Sequence, residues 1–448
     1  MNRKDLPKLD APRIARDEAR GIKFSPDKRT LEHYNAELAD ETYVIPDGVT
    51  AIGFQAFAEC NKLTEVTIPS GVTAIHGDAF CECSALTRVV IPESATKIGT
   101  RAFLGCTKLA GVTLPTGLTK IGDYLFAGCT KLTEVTIPSG VTEIGSAAFA
   151  GCERLTRMVI PESVTKIGEG AFNECIRLTE VTIPSGVTEI GKDVFRDCRR
   201  LTRVTIPDGV KTIGDWTFAG CNKLTEVTLP AGLTAIGDYA FEGVGKVRIA
   251  GSRRYYNDGA GALFARKKRT LLHVPADLAG EYAIPEGVRT IGIAAFAECT
   301  ALTGVIIPES VTEIGDDALC NCENLAEVEL PVGVTVIGRR ALARSGRFRI
   351  ADGGRYYNDA AGALFDRELR EILRVPPDFA GEYAIPEGIE SIGEFAFCDC
   401  RRLTAVKIPA GVKRILAGAF CGCKNLKAVE IPAGCWRSWT VRSSAARR

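Results

Sequence analysis

Cysteine is the residue type whose number and spacing could supply chemistry in this sequence. Seventeen cysteines occur among 448 residues, and twelve of them follow one another at intervals of 23 or 78 residues. These ladder cysteines are Cys60, Cys83, Cys106, Cys129, Cys152, Cys175, Cys198, Cys221, Cys299, Cys322, Cys400 and Cys423. Four more form Cys-x-Cys pairs with ladder members, namely Cys81, Cys320, Cys398 and Cys421. Thiolates can bind metal ions or exchange disulfides.

The metal and redox interpretations fit this spacing poorly. Zinc sites use Cys-x₂₋₄-Cys pairs with a second pair close by, and an odd total of 17 does not suit a complete disulfide framework. Val244 and Ser345 occupy the ladder position in two further copies. We therefore predict that the cysteines are small buried side chains, with no metal ion and no cofactor.

No other residue pattern indicates catalysis. His33, His76 and His273 are scattered, and no nucleophile elbow, zinc-protease, phosphate-loop or dinucleotide-binding motif is present. We predict a protein without enzymatic activity and without catalytic residues. The formal charge of +1 creates no field that would attract nucleic acid, and no apolar run approaches the ~18 residues that a membrane-spanning helix needs. We expect neither a nucleic-acid partner nor membrane insertion.

The elements that position the cysteines are copies of one 23-residue unit. Residues 63–83 read LTEVTIPSGVTAIHGDAFCEC, and the template is LTxVxIPxGVTxIGxxAFxxC. The L-x-x-V-x-I and V-T-x-I-G segments predict two short strands. Pro-x-Gly predicts a type I turn with proline in its second position, and A-F-x-x-C predicts a single helical turn. One unit cannot bury its apolar side chains alone, so we expect the units to stack as coils of a solenoid.

Two longer segments interrupt the repeat and resemble each other. Residues 246–288 and 347–389 align closely, and residues 21–49 are a third, partial copy that should cap the first coil. Their patterns predict β-hairpins at Ala262–Val274, at Ala363–Val375 and around residues 24–31. The predicted domains are a polar N-terminal segment (1–20), a single solenoid (21–435) with hairpin-bearing inserts at about 246–284 and 347–385, and a basic C-terminal tail (436–448).

The template LTxVxIPxGVTxIGxxAFxxC resembles the BspA-like leucine-rich repeats, and the D-G-x-G-A-L-F insert is similar to hairpin segments of that family. The resemblance implies a right-handed horseshoe or curved rod of short parallel β-strands, with short helical turns and protruding β-hairpins. It also implies adhesion to other proteins, and a cell-surface or secreted location. Residues 1–20 have no apolar core of a secretory signal, which favours the cytoplasm instead.

Charged side chains of alternating sign occupy the third template position. They are Glu65, Arg88, Glu134, Arg157, Glu180, Arg203 and Glu226. On adjacent strands, opposite charges contribute about 0.2–1 kcal/mol per pair, so the column can stabilise the sheet. The same side chains can instead form a recognition surface on the concave face, and both interpretations hold together.

Paired tyrosines in the inserts are the other candidate contact residues. They are Tyr255, Tyr256, Tyr356 and Tyr357, and each pair precedes Asn-Asp. Tyrosine is enriched at interfaces, although one tyrosine of each pair can pack against a neighbouring coil while Asn-Asp forms a turn. The sequence therefore predicts a monomeric, adhesin-like scaffold that recognises a protein or a glycan. The alternative is a structural spacer or assembly element without a ligand on the concave face.

Overall fold

The computed structural model describes residues 7–351, 353–432 and 435–437. Contacts between residues divide the chain into a first unit, Met1–Val244 with Ile249–Ser252, and a second unit, Gly245–Arg248 with Arg253–Arg448. Each unit is a β-solenoid, and together they contain about 17 coils with almost no helix. The predicted fold class is therefore confirmed. The predicted domain boundaries stay predictions, and the basic tail lies outside the described residues beyond Arg437.

The first unit begins with helix α1 (Ala11–Ala19), whose N-terminus is capped by Asp10 Oδ1 accepting from Arg13 N at 3.2 Å. Its strands are β1 (Lys23–Phe24), β2 (Thr30–His33), β3 (Thr42–Val44), β4 (Ala51–Ile52), β5 (Glu65–Thr67), β6 (Ala74–Ile75), β7 (Arg88–Val90), β8 (Lys97–Ile98), β9 (Gly111–Thr113), β10 (Lys120–Ile121), β11 (Glu134–Thr136), β12 (Glu143–Ile144), β13 (Lys166–Ile167), β14 (Glu180–Thr182), β15 (Glu189–Ile190), β16 (Arg203–Thr205), β17 (Thr212–Ile213), β18 (Glu226–Leu229) and β19 (Ala235–Ile236).

The strands that follow are β20 (Lys246–Ile249), β21 (Tyr255–Asn257), β22 (Leu263–Ala265), β23 (Thr270–His273), β24 (Gly280–Ala283), β25 (Thr290–Ile291), β26 (Leu302–Ile306), β27 (Glu313–Ile314), β28 (Glu327–Leu330), β29 (Val336–Ile337), β30 (Arg347–Ile350), β31 (Tyr356–Asn358), β32 (Leu364–Asp366), β33 (Glu371–Arg374), β34 (Ala380–Ala384), β35 (Ser391–Ile392), β36 (Arg402–Lys407), β37 (Arg414–Ile415), β38 (Ala428–Val429) and β39 (Trp436–Arg437).

Each regular coil contributes one strand to each of two parallel ladders. Ladder A is formed by the L-x-x-V-x-I segments: β3, β5, β7, β9, β11, β14, β16 and β18 in the first unit, and β24, β26, β28, β30, β34, β36 and β38 in the second. Ladder B is formed by the V-T-x-I-G segments. In both ladders, each residue pairs with its equivalent in the next coil. Glu65 pairs with Arg88 in ladder A, and Ile52 pairs with Ile75 in ladder B. Alternate ladder A side chains are buried, as period-2 alternation predicts.

The Pro-x-Gly turn differs from the prediction in the position of its proline. Val72 N donates to Pro69 O at 3.1 Å, so proline is the first residue of the hydrogen-bonded turn and not the second. Its glycine has negative φ in most coils, in agreement with type I. The exceptions are Gly48, Gly287 and Gly388, with φ of 86–90°. These glycines follow the three hairpin segments, where the turn needs a left-handed residue.

The predicted helical turn at A-F-x-x-C is absent from the described coils and is replaced by consecutive tight turns. Ala147 and Gly151 adopt left-handed conformations, with φ of 50° and 69°, and two such residues recur in nearly every coil. They stop helix propagation. The backbone N–H groups therefore alternate between local and neighbouring acceptors: Cys152 N donates to Phe149 O (3.1 Å), whereas Phe149 N donates to Ala171 O in the next coil (2.8 Å).

The predicted hairpins are confirmed, and they are integrated into ladder B. In the first insert, β21, β22 and β23 form an antiparallel meander, and β23 then pairs in parallel with β25. The second insert repeats this arrangement in β31, β32, β33 and β35. Leu263 and Phe264 of β22 are fully buried. The hairpins protrude little, because their apolar side chains complete the core of the coil that follows.

Candidate functional site

Side chains at the second, third and fifth template positions form three columns along the outward face of ladder A, here the innermost, middle and outermost columns. The innermost column is mostly threonine, and its hydroxyls donate to the carbonyl one coil back, as in Thr87 Oγ1 to Thr64 O (3.0 Å) and Thr202 Oγ1 to Thr179 O (3.0 Å). These threonines therefore link neighbouring coils of the ladder through hydrogen bonds. The other two columns are available to a partner.

The alternating charges lie side by side in the middle column, as the repeat register predicts. Glu65 is paired in register with Arg88, and Glu180 with Arg203. Ion pairs are loose: Arg157 lies 3.5 Å and Arg203 lies 3.8 Å from opposite oxygens of Glu180. The two arginines are 74% and 77% exposed, and such pairs contribute about 0–1 kcal/mol.

The remaining predicted charges are exposed as well. Within the described residues, no ion pair within 4.0 Å is formed by Glu65, Arg88 or Glu134. Glu226 is exposed in β18. Because the column contributes little to stability, its charges keep most of their capacity to bind a partner.

The outermost column of ladder A is mostly threonine and includes several exposed aliphatic residues. Val44, Val90 and Val159 are 43%, 51% and 72% exposed, and Ile306 occupies the same position in the second unit at 53%. The valines share this column with Thr67, Thr113 and other exposed threonines. Exposed β-branched side chains therefore lie beside the charged column along ladder A.

The tyrosine pairs divide into one buried and one half-buried residue. Tyr255 and Tyr356 are buried, and the Tyr356 hydroxyl accepts from Ile337 N at 2.9 Å. Tyr256 stacks on Phe264 with ring centroids 5.0 Å apart, and the Arg266 guanidinium lies 4.5 Å from its ring centre. Tyr357 has the same arrangement with Phe365 and Arg367, at 5.1 Å and 4.2 Å. Only Tyr256 and Tyr357 can therefore reach a partner.

The sequence of these coils matches a known repeat family. The family model described as "BspA type Leucine rich repeat region (6 copies)" matches residues 34–156, 142–250, 279–350 and 381–438, which is most of the chain. The chain belongs to the BspA-type leucine-rich repeat family.

Solved structures of several bacterial repeat proteins are similar to this chain. A leucine-rich cell surface protein of Faecalibacterium prausnitzii is 26% identical, with 91% of this chain and 92% of that one covered and a TM-score of 0.49. A leucine-rich repeat protein of Bacteroides ovatus is 23% identical, with 97% and 98% covered and a TM-score of 0.46. One from T. pallidum is 30% identical, with 45% and 86% covered and a TM-score of 0.34. No curated protein gives a match.

The cysteines of the BspA-type template are part of the core. Sγ–H groups donate to the phenylalanine carbonyl of the preceding coil, for example Cys152 to Phe126 O (3.3 Å) and Cys175 to Phe149 O (3.3 Å). Burial raises the pKa of the Cys175 thiol to about 12, so it stays protonated. Across the described residues, the twelve ladder cysteines are free thiols and no cluster of three metal-ligating side chains occurs. No helix in the described part of the chain has the length and apolarity to cross a membrane.

Two tyrosine–carboxylate contacts of the second unit were not predicted from the sequence. Tyr282 Oη donates to Asp258 Oδ2 at 2.6 Å, and Tyr383 Oη donates to Asp359 Oδ2 at 2.5 Å. Burial, and then the carboxylate, raise the pKa of Tyr282 far above its usual value. Asp258 Oδ1 also accepts from Ala262 N at 2.9 Å, which closes the Asn-Asp turn. In the sequence, these contacts are indicated by the Y-N-D and Y-A-I-P segments, which occur together in both inserts.

The outward face of ladder B contains shorter ion pairs than ladder A of the same unit. Glu143 bridges two lysines, with Lys166 Nζ at 2.9 Å and Lys120 Nζ at 3.3 Å from its two oxygens. The hydrogen bond from Lys166, together with Lys120, lowers the pKa of Glu143. This face of the BspA-type coil uses its charges to link neighbouring coils.

Proposed function

We propose that this chain is a non-enzymatic recognition scaffold that binds another protein or a glycan through the outward face of ladder A. The insert tyrosines Tyr256 and Tyr357 provide secondary contacts. The observation that supports this is the recurrence of exposed aliphatic residues at one template position, with Val159 at 72% and Val90 at 51% exposure. Adhesion, which the family resemblance implies, is the corresponding biological role.

The exposed valines favour binding over a purely structural role. Isolated apolar residues on a surface are ordinary, but here they recur in one column beside exposed charges of both signs. Val90 has exposed Arg88 as its neighbour on the same strand face, and Val159 has Arg157. None of these side chains packs into the core, so the coil would fold equally well with polar residues there.

Repetition adds strength to such a surface. Neighbouring coils present the same columns one strand spacing apart, about 4.8 Å. A partner that touches several coils gains from each weak contact, because later contacts form at high effective concentration. This is how a face made of individually weak groups can bind specifically.

Site-specific photocrosslinking tests the proposal. A photoreactive phenylalanine analogue replaces exposed Thr182 of ladder A in one variant and exposed Glu189 of ladder B in a matched control. We expect defined adducts with one or a few partners from the Thr182 position and at least about tenfold fewer from the Glu189 position. Equal adducts from both positions, or none from either, would contradict recognition by ladder A and favour the spacer role.

A further inference from the structure

Ladder A of the second unit contains a groove that the regular coils do not predict. Its volume is about 410 Å³, within the usual range for ligand sites of about 300–1,000 Å³. It is lined by residues 303–307, in and just after β26, and by Ala326, Glu327, Glu329 and Pro331 in and beside β28. The strands β26 and β28 belong to separate two-stranded sheets. The groove therefore follows the strand direction over five residues, about 16 Å.

Gly304 leaves the floor of this groove open. It stands in the charged column of ladder A, in register with Glu281 of β24. Without a side chain of its own it leaves a notch between Glu281 and Glu327, both of which line the groove. The Glu281 side chain leans over this notch, with its Cγ 3.1 Å from where a Cβ on residue 304 would lie. In the first unit, the corresponding place beside Glu180 is occupied by Arg203. Gly304 thus stands at a position where the alternation of charges would place a basic residue.

The charge around the groove is of one sign. Four carboxylates line it, those of Glu281, Glu309, Glu327 and Glu329, and none of its lining residues is basic. Arg349 reaches Glu327 from the next strand at 3.2 Å, and this ion pair is 71% and 46% exposed on its two sides. Arg347 and Arg349 of β30 stand in register with Glu327 and Glu329, so these two cations compensate at most two of the four charges.

An exposed aliphatic side chain lies two residues along the same strand. Ile306 is 53% exposed and lines the groove together with Gly304. Residues i and i+2 of a strand point to the same side and lie about 6.6 Å apart. The groove thus offers an acidic notch and an apolar contact at the spacing of alternate residues in an extended peptide.

We propose that this groove binds an extended basic segment of a partner protein. A lysine or arginine side chain occupies the notch above Gly304, between Glu281 and Glu327, and an aliphatic side chain two residues away packs on Ile306. The charge of the groove excludes acidic glycans, and its strand-like length fits a peptide in β conformation. This inference rests on the proposed recognition by ladder A and names its partner chemistry in the second unit.

Peptide binding to the full chain tests the inference. The probe is the fluorescein-labelled peptide Gly-Arg-Thr-Val-Ser-Gly, measured by fluorescence anisotropy, with a control peptide that has glutamate in place of arginine. We expect saturable binding of the arginine peptide that weakens strongly in about 1 M salt, where the Debye length is about 3 Å. The glutamate peptide should not bind.

Two variants locate the site. Glu281→Gln with Glu327→Gln removes the notch charges, and Gly304→Arg fills the notch with a cation. A Cβ on residue 304 would lie 3.1 Å from the flexible Glu281 Cγ, and its φ is not left-handed, so the strand can accommodate the change. Both variants should weaken peptide binding at least about tenfold. Glu153→Gln with Glu189→Gln removes two exposed carboxylates of the first unit outside ladder A and should leave peptide binding unchanged, with thermal unfolding as the folding check.

The outcomes separate this inference from the proposed function. No saturable binding to the wild type, or an equal effect of the first-unit control, overturns the groove assignment. Crosslinked partners at Thr182 without peptide binding would leave the scaffold role standing and refute the groove. A concentration-dependent dimer that Gly304→Arg abolishes would identify a second copy as the occupant and overturn the partner peptide.

Discussion

Substitution of Phe149 tests whether a continuous aromatic stack holds the first unit together. Nine phenylalanines of successive coils stack in line, with neighbouring centroids 4.9–5.9 Å apart and ring planes within 20°. Phe149 is fully buried and lies 5.7 Å from the Phe126 ring and 5.5 Å from the Phe172 ring. Phe149→Ala should cost about 3–5 kcal/mol, because it leaves a cavity in the core.

A second variant separates the contribution of the ring–ring contacts from that of the buried volume. Phe149→Leu keeps most of the volume and loses two ring contacts, each contributing about 0.5–1.5 kcal/mol, so it should cost about 1–3 kcal/mol. Because each coil contacts only its neighbours in a repeat array, both changes should act locally. Hydrogen exchange measured by mass spectrometry gives the opening free energy of each segment.

We expect the opening free energy to decrease in peptides that cover residues 126–172 and to change little in the second unit. Phe54→Ala is the matched control, since Phe54 is 62% exposed and its loss should change stability by less than about 0.5 kcal/mol. A Phe149→Leu variant indistinguishable from this control would show that the stack contributes no more than aliphatic packing. A decrease spread evenly over the chain would refute the nearest-neighbour argument.

Three further predictions concern single side chains. Gly151 and Glu174 are both left-handed, with φ of 69° and 56°, a conformation that glycine adopts more easily than other residues. Gly151→Ala should therefore lower stability by about 1–2 kcal/mol, and Glu174→Gly should raise it by about 0.5–1 kcal/mol. Urea midpoints of the two variants that shift in the same direction would contradict this. Tyr383→Phe should cost about 1.5–3 kcal/mol because it removes the hydrogen bond to the Asp359 carboxylate, and hydrogen exchange over 380–406 should report the loss. The pKa of Glu143 is lowered in the fold, so its contribution to stability is present above the unfolded pKa and is lost as pH falls through the folded pKa. Below about pH 5, the melting temperature of Glu143→Gln should therefore fall less steeply with pH than that of the wild type. Identical profiles would show that this carboxylate does not contribute to the pH dependence of stability.

The interior of this protein was largely predictable, because its pattern is periodic. Alternation in V-x-I requires Val66 to be buried between exposed Glu65 and Thr67, and the structure shows this. The recurring Phe and Cys positions likewise identify the core before any coordinates. A 23-residue interval between copies fixes the register between regular coils, which is why Arg88 was predicted beside Glu65 and Arg203 beside Glu180.

The local backbone was less predictable, because its residue types conflict with its conformation. Glu174 is a good helix former by intrinsic preference, yet it adopts φ of 56°. The stacked neighbours impose this: Glu174 N donates to Arg196 O of the next coil at 2.8 Å, a bond that a helix would not allow. The groove at Gly304 was missed for a related reason, since a glycine in a strand column signals only a missing side chain until its neighbours are placed.

The tyrosine–carboxylate contacts show how the fold begins a new block of coils. Tyr43, Tyr282 and Tyr383 each pair in register with the template valine of the following coil, so a tyrosine fills the valine position wherever no regular coil precedes it. The larger ring covers the exposed end of the core, and its buried hydroxyl then requires an acceptor.

Different segments supply that acceptor. In the inserts it is Asp258 or Asp359 of the Asn-Asp turn, whereas Tyr43 donates at 2.8 Å to the buried Asp17 of helix α1. At the start of the first unit, helix α1 therefore supplies the acceptor that the Asn-Asp turn supplies in the inserts. A residue in the N-terminal segment, which reads from sequence as a polar extension, is thus fixed by the same physical requirement as the two internal turns.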